Sequence, residues 1–135
     1  MRTKLAVVIA AVALIVAARP LVAHHSFAAE FDANKPFKMT GTVTKVEWMN
    51  PHTYFYIDVK DEKSGKVDNW AMEMGSPNGL MRAGWTRNTM KVGDMVTVEG
   101  SLAKDGSNTG NARSVTMTST GQRLFAASSQ GQASQ

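Results

Sequence analysis

The chain has three histidines, His24, His25 and His52, nine methionines and no cysteine. These are the residues from which a metal centre would be drawn. Absence of thiols excludes disulfides, a thiol nucleophile, cysteine metal sites and a lipid-modified N-terminal cysteine. His24 and His25 follow Leu21-Val22-Ala23. A cut after Ala23 would make His24 the first residue, so that its α-amino group and its own ring can close a chelate. His25 and His52 can then supply further imidazoles, and such a nitrogen set suits Cu(II). Met49, Met72 and Met74 are soft donors of the kind Cu(I) takes. Against this, methionine at strand spacing is ordinarily core. A His-His pair beside a cleavage site is often exposed and idle, and no His-x-x-x-His or carboxylate-paired spacing supports a metal site. The metal expectation is therefore His24, His25 and His52, with copper as the cofactor.

Two other sets can do chemistry. Tyr54 and Tyr56, with Trp48 nearby, form an aromatic group able to stack a sugar, base or peptide, although tyrosines on a sheet are commonly plain cross-strand pairs. With His52 they make the ligand-binding expectation: Trp48, His52, Tyr54 and Tyr56. Glu47, Asp58, Glu73 and Glu99 are strand carboxylates, two of which could approach as an acid–base pair. Their placement favours solvent instead, opposite Lys45, Lys60 or Arg113. No catalytic signature occurs. Asp105–Gly110 lacks the lysine and following helix of a phosphate loop, and Ser76 is not in a nucleophile-elbow context.

The elements that must position these residues centre on Thr40–Gly75. Val43, Val46 and Trp48 lie on a first strand. Phe55, Ile57 and Val59 alternate along a second, against Tyr54, Tyr56 and Asp58. Trp70, Met72 and Met74 alternate along a third, against Asn69, Ala71 and Glu73. Period-two apolar spacing predicts half-buried strands. Asn50-Pro51 separates the first two, and Asp61–Lys66, containing Gly65, turns the second into the third. Ser76-Pro77 then reads as an N-cap and first helical position. A short helix follows, with Leu80, Met81 and Trp85 as buried contacts and Gly84 at its end. A fourth strand spans Met95 to Ala103, with Val96, Val98 and Leu102 on one face, and a polar loop Asp105 to Asn111. The fifth strand is Ala112 to Thr118, and Gln122–Phe125 is a short additional run.

Ahead of the meander, Met1–Ala23 has the parts of a secretory signal: Arg2 and Lys4, an unbroken apolar run from Leu5 to Ala18, Pro20, then Ala23 at the cut. That run is shorter than the roughly 20 residues a bilayer span needs. Residues 24–38 read as an extended lead-in pinned by Phe27, Phe31 and Phe37, the domain as 39–125, and 126–135 as a disordered, uncharged tail. The formal net charge is +4, from fifteen basic and eleven acidic residues. Arg2, Lys4 and Arg19 fall in the leader, leaving twelve basic against eleven acidic, so nothing here is a basic stripe for nucleic acid. Three strands, a helix and two strands is the element order of a mainly β, five-stranded OB-like Greek-key barrel. An open sandwich or roll with the helix at one end is the competing arrangement.

Several stretches together resemble a particular family: Ala23-His24-His25-Ser26-Phe27-Ala28-Ala29-Glu30-Phe31-Asp32, Trp48-Met49-Asn50-Pro51-His52, Glu73-Met74-Gly75-Ser76-Pro77-Asn78-Gly79-Leu80 and Gly106-Ser107-Asn108-Thr109-Gly110. The chain is similar through them to small secreted bacterial proteins known only as a domain of unknown function. The resemblance spans nearly all of the chain after the leader. It implies an exported, periplasmic protein and supplies no activity. The sequence thus leads first to a non-enzymatic binding or accessory protein for a small ligand or a periplasmic partner, with no nucleic acid and no membrane after cleavage. A copper-binding protein using His24 is second, and a carboxylate-dependent hydrolase or isomerase third.

Overall fold

The computed structural model describes residues 27–128, so the leader, His24, His25 and residues 129–135 lie outside it. The order of elements is α1 (Phe27–Glu30), β1 (Phe31–Glu47), β2 (Tyr54–Lys60), β3 (Val67–Glu73), α2 (Pro77–Arg82), β4 (Met95–Ala103), β5 (Thr109–Met117) and β6 (Arg123–Phe125). The described chain is mainly β, with six strands and two short helices.

The first strand is longer than its sequence suggests. Residues 31–38, expected as a separate lead-in, are the first half of β1. That half pairs with β4, from Phe31↔Ala103 to Thr42↔Met95, and the second half pairs with β2, from Thr42↔Asp58 to Glu47↔Tyr54. Pro36 is tolerated because, among the described residues, this half of β1 has a partner on one edge only, and the register shifts between Phe31 and Pro36. Gly41 sits at the handover. A Cβ there would lie 2.5 Å from the Asp58 carbonyl oxygen, so only glycine lets the two strands come this close. A register shift between Val43 and Lys45 then makes Thr44 an extra residue, which is how Val43 and Val46, three apart, both turn toward the core.

The sheet order is β3-β2-β1-β4-β5-β6. Neighbours in that order are antiparallel, and β3 additionally runs parallel to β5 through Ala71↔Thr109, Met72↔Gly110 and Glu73↔Asn111. Each of β1 to β5 therefore has a hydrogen-bonded neighbour on both sides. This pairing also explains why β5 begins at Thr109 and not at Ala112: Gly110 and Asn111, expected in a loop, are paired with both β3 and β4.

Inside lie Val43, Phe55, Ile57, Met72, Met74, Leu80, Trp85, Val96, Val98 and Val115, all at or near zero exposure. The alternation expected for β2 holds in Phe55 and Ile57, and that for β4 in Val96 and Val98, but Leu102, expected on the same face, is only partly buried because the register shifts between Glu99 and Gly100. Trp70 does not join this set as expected; it is only partly buried against it. Ser76 caps α2, its Oγ accepting from the Gly79 N–H at 3.1 Å, and Gly84 takes a positive φ of 98° beyond the helix. Leu80 and Trp85 are buried as expected, whereas Met81 is exposed, because a six-residue helix lying on a surface presents only one stripe inward.

The tail was expected to start at Ala126. Instead Ala126 is fully buried, its N–H donates to the Arg113 carbonyl and its carbonyl accepts from Gly75. A Cβ on Gly75 would lie 2.0 Å from the Ala127 carbonyl oxygen, so that crossing requires glycine.

Candidate functional site

The site is set by the β2–β3 turn. The Asp61 carboxylate accepts from the backbone of Lys63 and Ser64 at 2.8 and 2.9 Å, and Asp61 N–H donates to the Lys66 carbonyl. The Ser64 amide, then that of Lys63, holds the Asp61 carboxyl below its ordinary range. A turn closed in this way puts Lys60 opposite Val67 and, six residues further, Tyr54 opposite Glu73. The parallel pairing then puts Asn111 beside Glu73. Tyr54, Glu73 and Asn111 thus stand in one row across three strands. Pairing continues past the strand ends, with Thr53 N–H on the Gly75 carbonyl and Met74 N–H on the Thr53 carbonyl, and this fixes His52 at the same end.

Glu73 is the centre of the row and only 6% exposed. The Tyr54 hydroxyl donates to its Oε2 at 2.8 Å. Around the other oxygen, Oε1, the contacts are long. Asn111 Nδ2 stands at 3.5 Å and His52 Nδ1 at 3.8 Å. His52 Nδ1 is also 3.3 Å from the Met74 carbonyl oxygen. Asn111 is fully buried, and its Oδ1, like Thr53 Oγ1, has no hydrogen-bond partner among the described residues. Burial first, and then the Glu73 carboxylate, push the Tyr54 hydroxyl well above its ordinary value of 10.0, with a contribution from Glu30 at the end of α1. One end of the row is therefore electrostatically within reach of the chain's first described element.

A second group lies beside the first on the same outer face. The Tyr56 hydroxyl donates to Glu47 Oε2 at 3.3 Å. Lys45 pairs with Glu47 and lies 5.4 Å above the Tyr56 ring. Burial, then Glu47, raises the Tyr56 hydroxyl; Lys45 lowers the Glu47 carboxyl, and Glu47 in turn raises Lys45. These groups are wet, so the ion pair contributes little.

Of the residues singled out in the sequence, His52 and Tyr54 meet at Glu73, and Tyr56 belongs to the Glu47 pair. Trp48 is partly buried against the core. His24 and His25 lie outside the described residues. Met72 and Met74 are buried in the core, and Met49 is exposed. Asp58 accepts from Asn69 at 2.9 Å, and Glu99 pairs with Arg123 of β6 at 3.3 Å, not with Arg113. Glu73 departs furthest from expectation: it is buried and bonded, where solvent and a cationic partner were expected. Among the described residues no three side chains of His, Cys, Asp or Glu converge as a ready metal cluster, and no helix is long and apolar enough to cross a membrane. A shallow groove of about 300 Å³ runs nearby, lined by Glu30, Phe31, Ala103, Lys104 and Thr109 among others, but the Glu73 row does not line it.

Glu73 was singled out only as a strand carboxylate facing solvent, and Asn111 only as part of a polar loop. A signal for Glu73 existed, because the Asp61–Lys66 turn, taken with its own bounds, implies Tyr54 opposite Glu73. Nothing local pointed to Asn111, whose role comes from a pairing between strands distant in sequence.

The fold and the row define a small β-rich domain with one nearly buried carboxylate at the ends of its strands. The chain belongs to a family of unknown function, DUF6152, which matches residues 11–113 and so takes in His52, Tyr54, Glu73 and Asn111. A comparison with curated proteins returns no match.

Proposed function

We propose that this protein is an exported, non-enzymatic binding module on an OB-like barrel formed by β1 to β5, with β6 appended. The mutual pairing of five strands, the parallel β3–β5 contact and the helix between β3 and β4 support the barrel reading. One observation carries the binding reading: Glu73 is nearly buried, with one oxygen held by Tyr54 and the other making, among the described residues, no polar side-chain contact shorter than 3.5 Å. A buried carboxylate normally has its acceptor sites filled, so this one is suited to receive a donor or a cation from a ligand. An acid–base enzyme would want a second buried carboxylate in the same place. The carboxylate in line with Tyr54 is Glu47, which is solvated and engaged by Lys45 and Tyr56.

The test is a thermal-shift screen of the exported protein with Cu2+, Zn2+, short chitooligosaccharides and a peptidoglycan-derived muropeptide, run in parallel on Glu73→Gln. At least one probe should raise the melting temperature of the wild type and raise it less in the variant. If no probe acts, or every shift is indifferent to Glu73, the reading fails.

A second reading is a periplasmic copper protein using a mature N-terminal His24. It is favoured by the electrostatic coupling of α1 to the Glu73 row. Phe27 opens α1, and Glu30 at its end acts on Tyr54. Protein beginning at His24 should bind Cu(II) more tightly than protein with one extra residue before it, because the added residue removes the chelating amine. Equal affinity would eliminate this reading.

A further inference from the structure

We infer that Glu73, His52 and Asn111 make the protein's half of a site for a late first-row divalent cation of the Cu2+ or Zn2+ class. This rests on the binding-module reading and names its ligand. It does not depend on where the leader is cut.

The spacing is the first argument. Two donors held by one such ion at about 2.0–2.2 Å are separated by roughly 2.8–3.6 Å, over octahedral to tetrahedral angles. Glu73 Oε1 lies 3.5 Å from the Asn111 amide nitrogen and 3.8 Å from His52 Nδ1. The first is at the limit of a hydrogen bond and the second beyond it. Both are close to what a shared cation would require, with a movement of a few tenths of an ångström for the imidazole.

The orphaned acceptor is the second argument. Asn111 Oδ1 is fully buried and has no hydrogen-bond partner among the described residues. Over nine-tenths of such groups are normally satisfied. A half-turn of the amide about its last bond exchanges Oδ1 with Nδ2 and brings the oxygen toward Glu73 Oε1. Two oxygens facing one another repel unless a cation lies between them, so the ion would satisfy the orphaned acceptor, while the amide NH2 gives up its 3.5 Å contact to Glu73 and takes the place the oxygen left. His52 can follow: its Nδ1–H can donate to the Met74 carbonyl at 3.3 Å, and moving that proton to Nε2 gives up this long contact and turns the Nδ1 lone pair to the ion beside Glu73.

The third argument is the support around the carboxylate. Tyr54 donates to Oε2 at 2.8 Å, so that oxygen is occupied and Oε1 faces His52 and Asn111. An outer hydrogen bond of this kind orients a metal-binding carboxylate and strengthens it. One carboxylate and a neutral imidazole leave the ion a net single positive charge and open positions, suited to further nitrogen donors or water.

The experiment uses protein exported to a bacterial periplasm, with its processed N-terminus determined. Zn2+ is titrated by calorimetry and Cu2+ against a competing chelator; Co2+ absorption reports the ligand geometry. The wild type should bind one ion. Glu73→Gln and His52→Ala should each weaken binding at least tenfold, and Tyr54→Phe about tenfold. Far-UV dichroism and the urea midpoint identify any variant that fails to fold. His52 is half-exposed, so its variant remains informative if the Glu73 variant is lost. Wild-type affinity in both Glu73→Gln and His52→Ala overturns the inference. So does loss of binding on replacing His24 and His25 while Glu73→Gln binds normally, which would assign the ion to the N-terminus alone. Absence of binding by the wild type also overturns it, whereas a Glu73-dependent shift with a non-metal probe would then leave the binding-module reading standing.

Discussion

Tyr54→Phe is the substitution that tests the architecture of the site most directly. It removes one oxygen and leaves the ring in place. The lost bond is a 2.8 Å donation to a carboxylate that is itself nearly buried. Hydrogen bonds to charged groups contribute about 1.5–3 kcal/mol, and the variant leaves Glu73 Oε2 without its donor. Tyr54 is only half-buried, so water recovers part of the loss and the expected cost falls at the lower end, about 1.5–2 kcal/mol. For a domain of this size that is a fall of roughly 6–15 °C in melting temperature. Tyr56→Phe is the internal control. It removes the same oxygen from a 3.3 Å contact to a solvated carboxylate that Lys45 already pairs, and should cost under about 0.5 kcal/mol. The measurement is urea unfolding at pH 7 on both single variants, on Glu73→Gln and on the double variant Tyr54→Phe/Glu73→Gln. The cycle should return a coupling of about 1 kcal/mol or more between Tyr54 and Glu73. If Tyr54→Phe costs no more than Tyr56→Phe, or if the cycle closes additively, Tyr54 does not hold the carboxylate and the account of the site fails.

Three further outcomes are expected. Both tyrosine hydroxyls are raised above 10.0, so ultraviolet titration should show tyrosinate forming at higher pH in the folded protein than in urea. The unfolded chain loses these protons first, so stability from this source is complete below pH 10 and declines above it, less steeply in Tyr54→Phe; an unchanged slope would contradict the assignment. Truncation after Ser128 and truncation after Phe125 should differ in urea midpoint, because only the second removes buried Ala126 and its bonds to Arg113 and Gly75; coincident unfolding curves would refute this. Trp70→Ala should cost less than the roughly 2–5 kcal/mol expected for Met72→Ala, since Trp70 is only partly buried and Met72 is fully so; the reverse order in denaturant melts would mean Trp70 carries the core.

Much of the local structure was legible because it depends on neighbours in sequence. The alternation of Phe55 and Ile57 with Tyr54 and Tyr56 reports the two faces of β2, and Val96 and Val98 do the same for β4. Ser76-Pro77 marks the start of α2 because the cap and the fixed φ act within one turn. What misled were features depending on distant partners. Val43 and Val46 are in phase only because a bulge at Thr44 adds a residue against β2. Residues 31–38 became strand because β4 offered an edge to them. Trp70 and Met81 were judged by apolar type, and neither periodicity nor type says how far the neighbouring elements extend over a given residue.

The candidate site divides in the same way. The types of His52, Tyr54 and Tyr56, and the alternation that puts both tyrosines on one face, were properties of the sequence by itself. The turn at Asp61–Lys66 was enough to imply that Tyr54 faces Glu73. The burial of Glu73 was decided by tertiary structure alone. Alternation tells which residues share a face of a strand but not whether that face is wet, and only the arrival of β5 beside β3 brings Asn111 against the carboxylate and makes it the centre of the row.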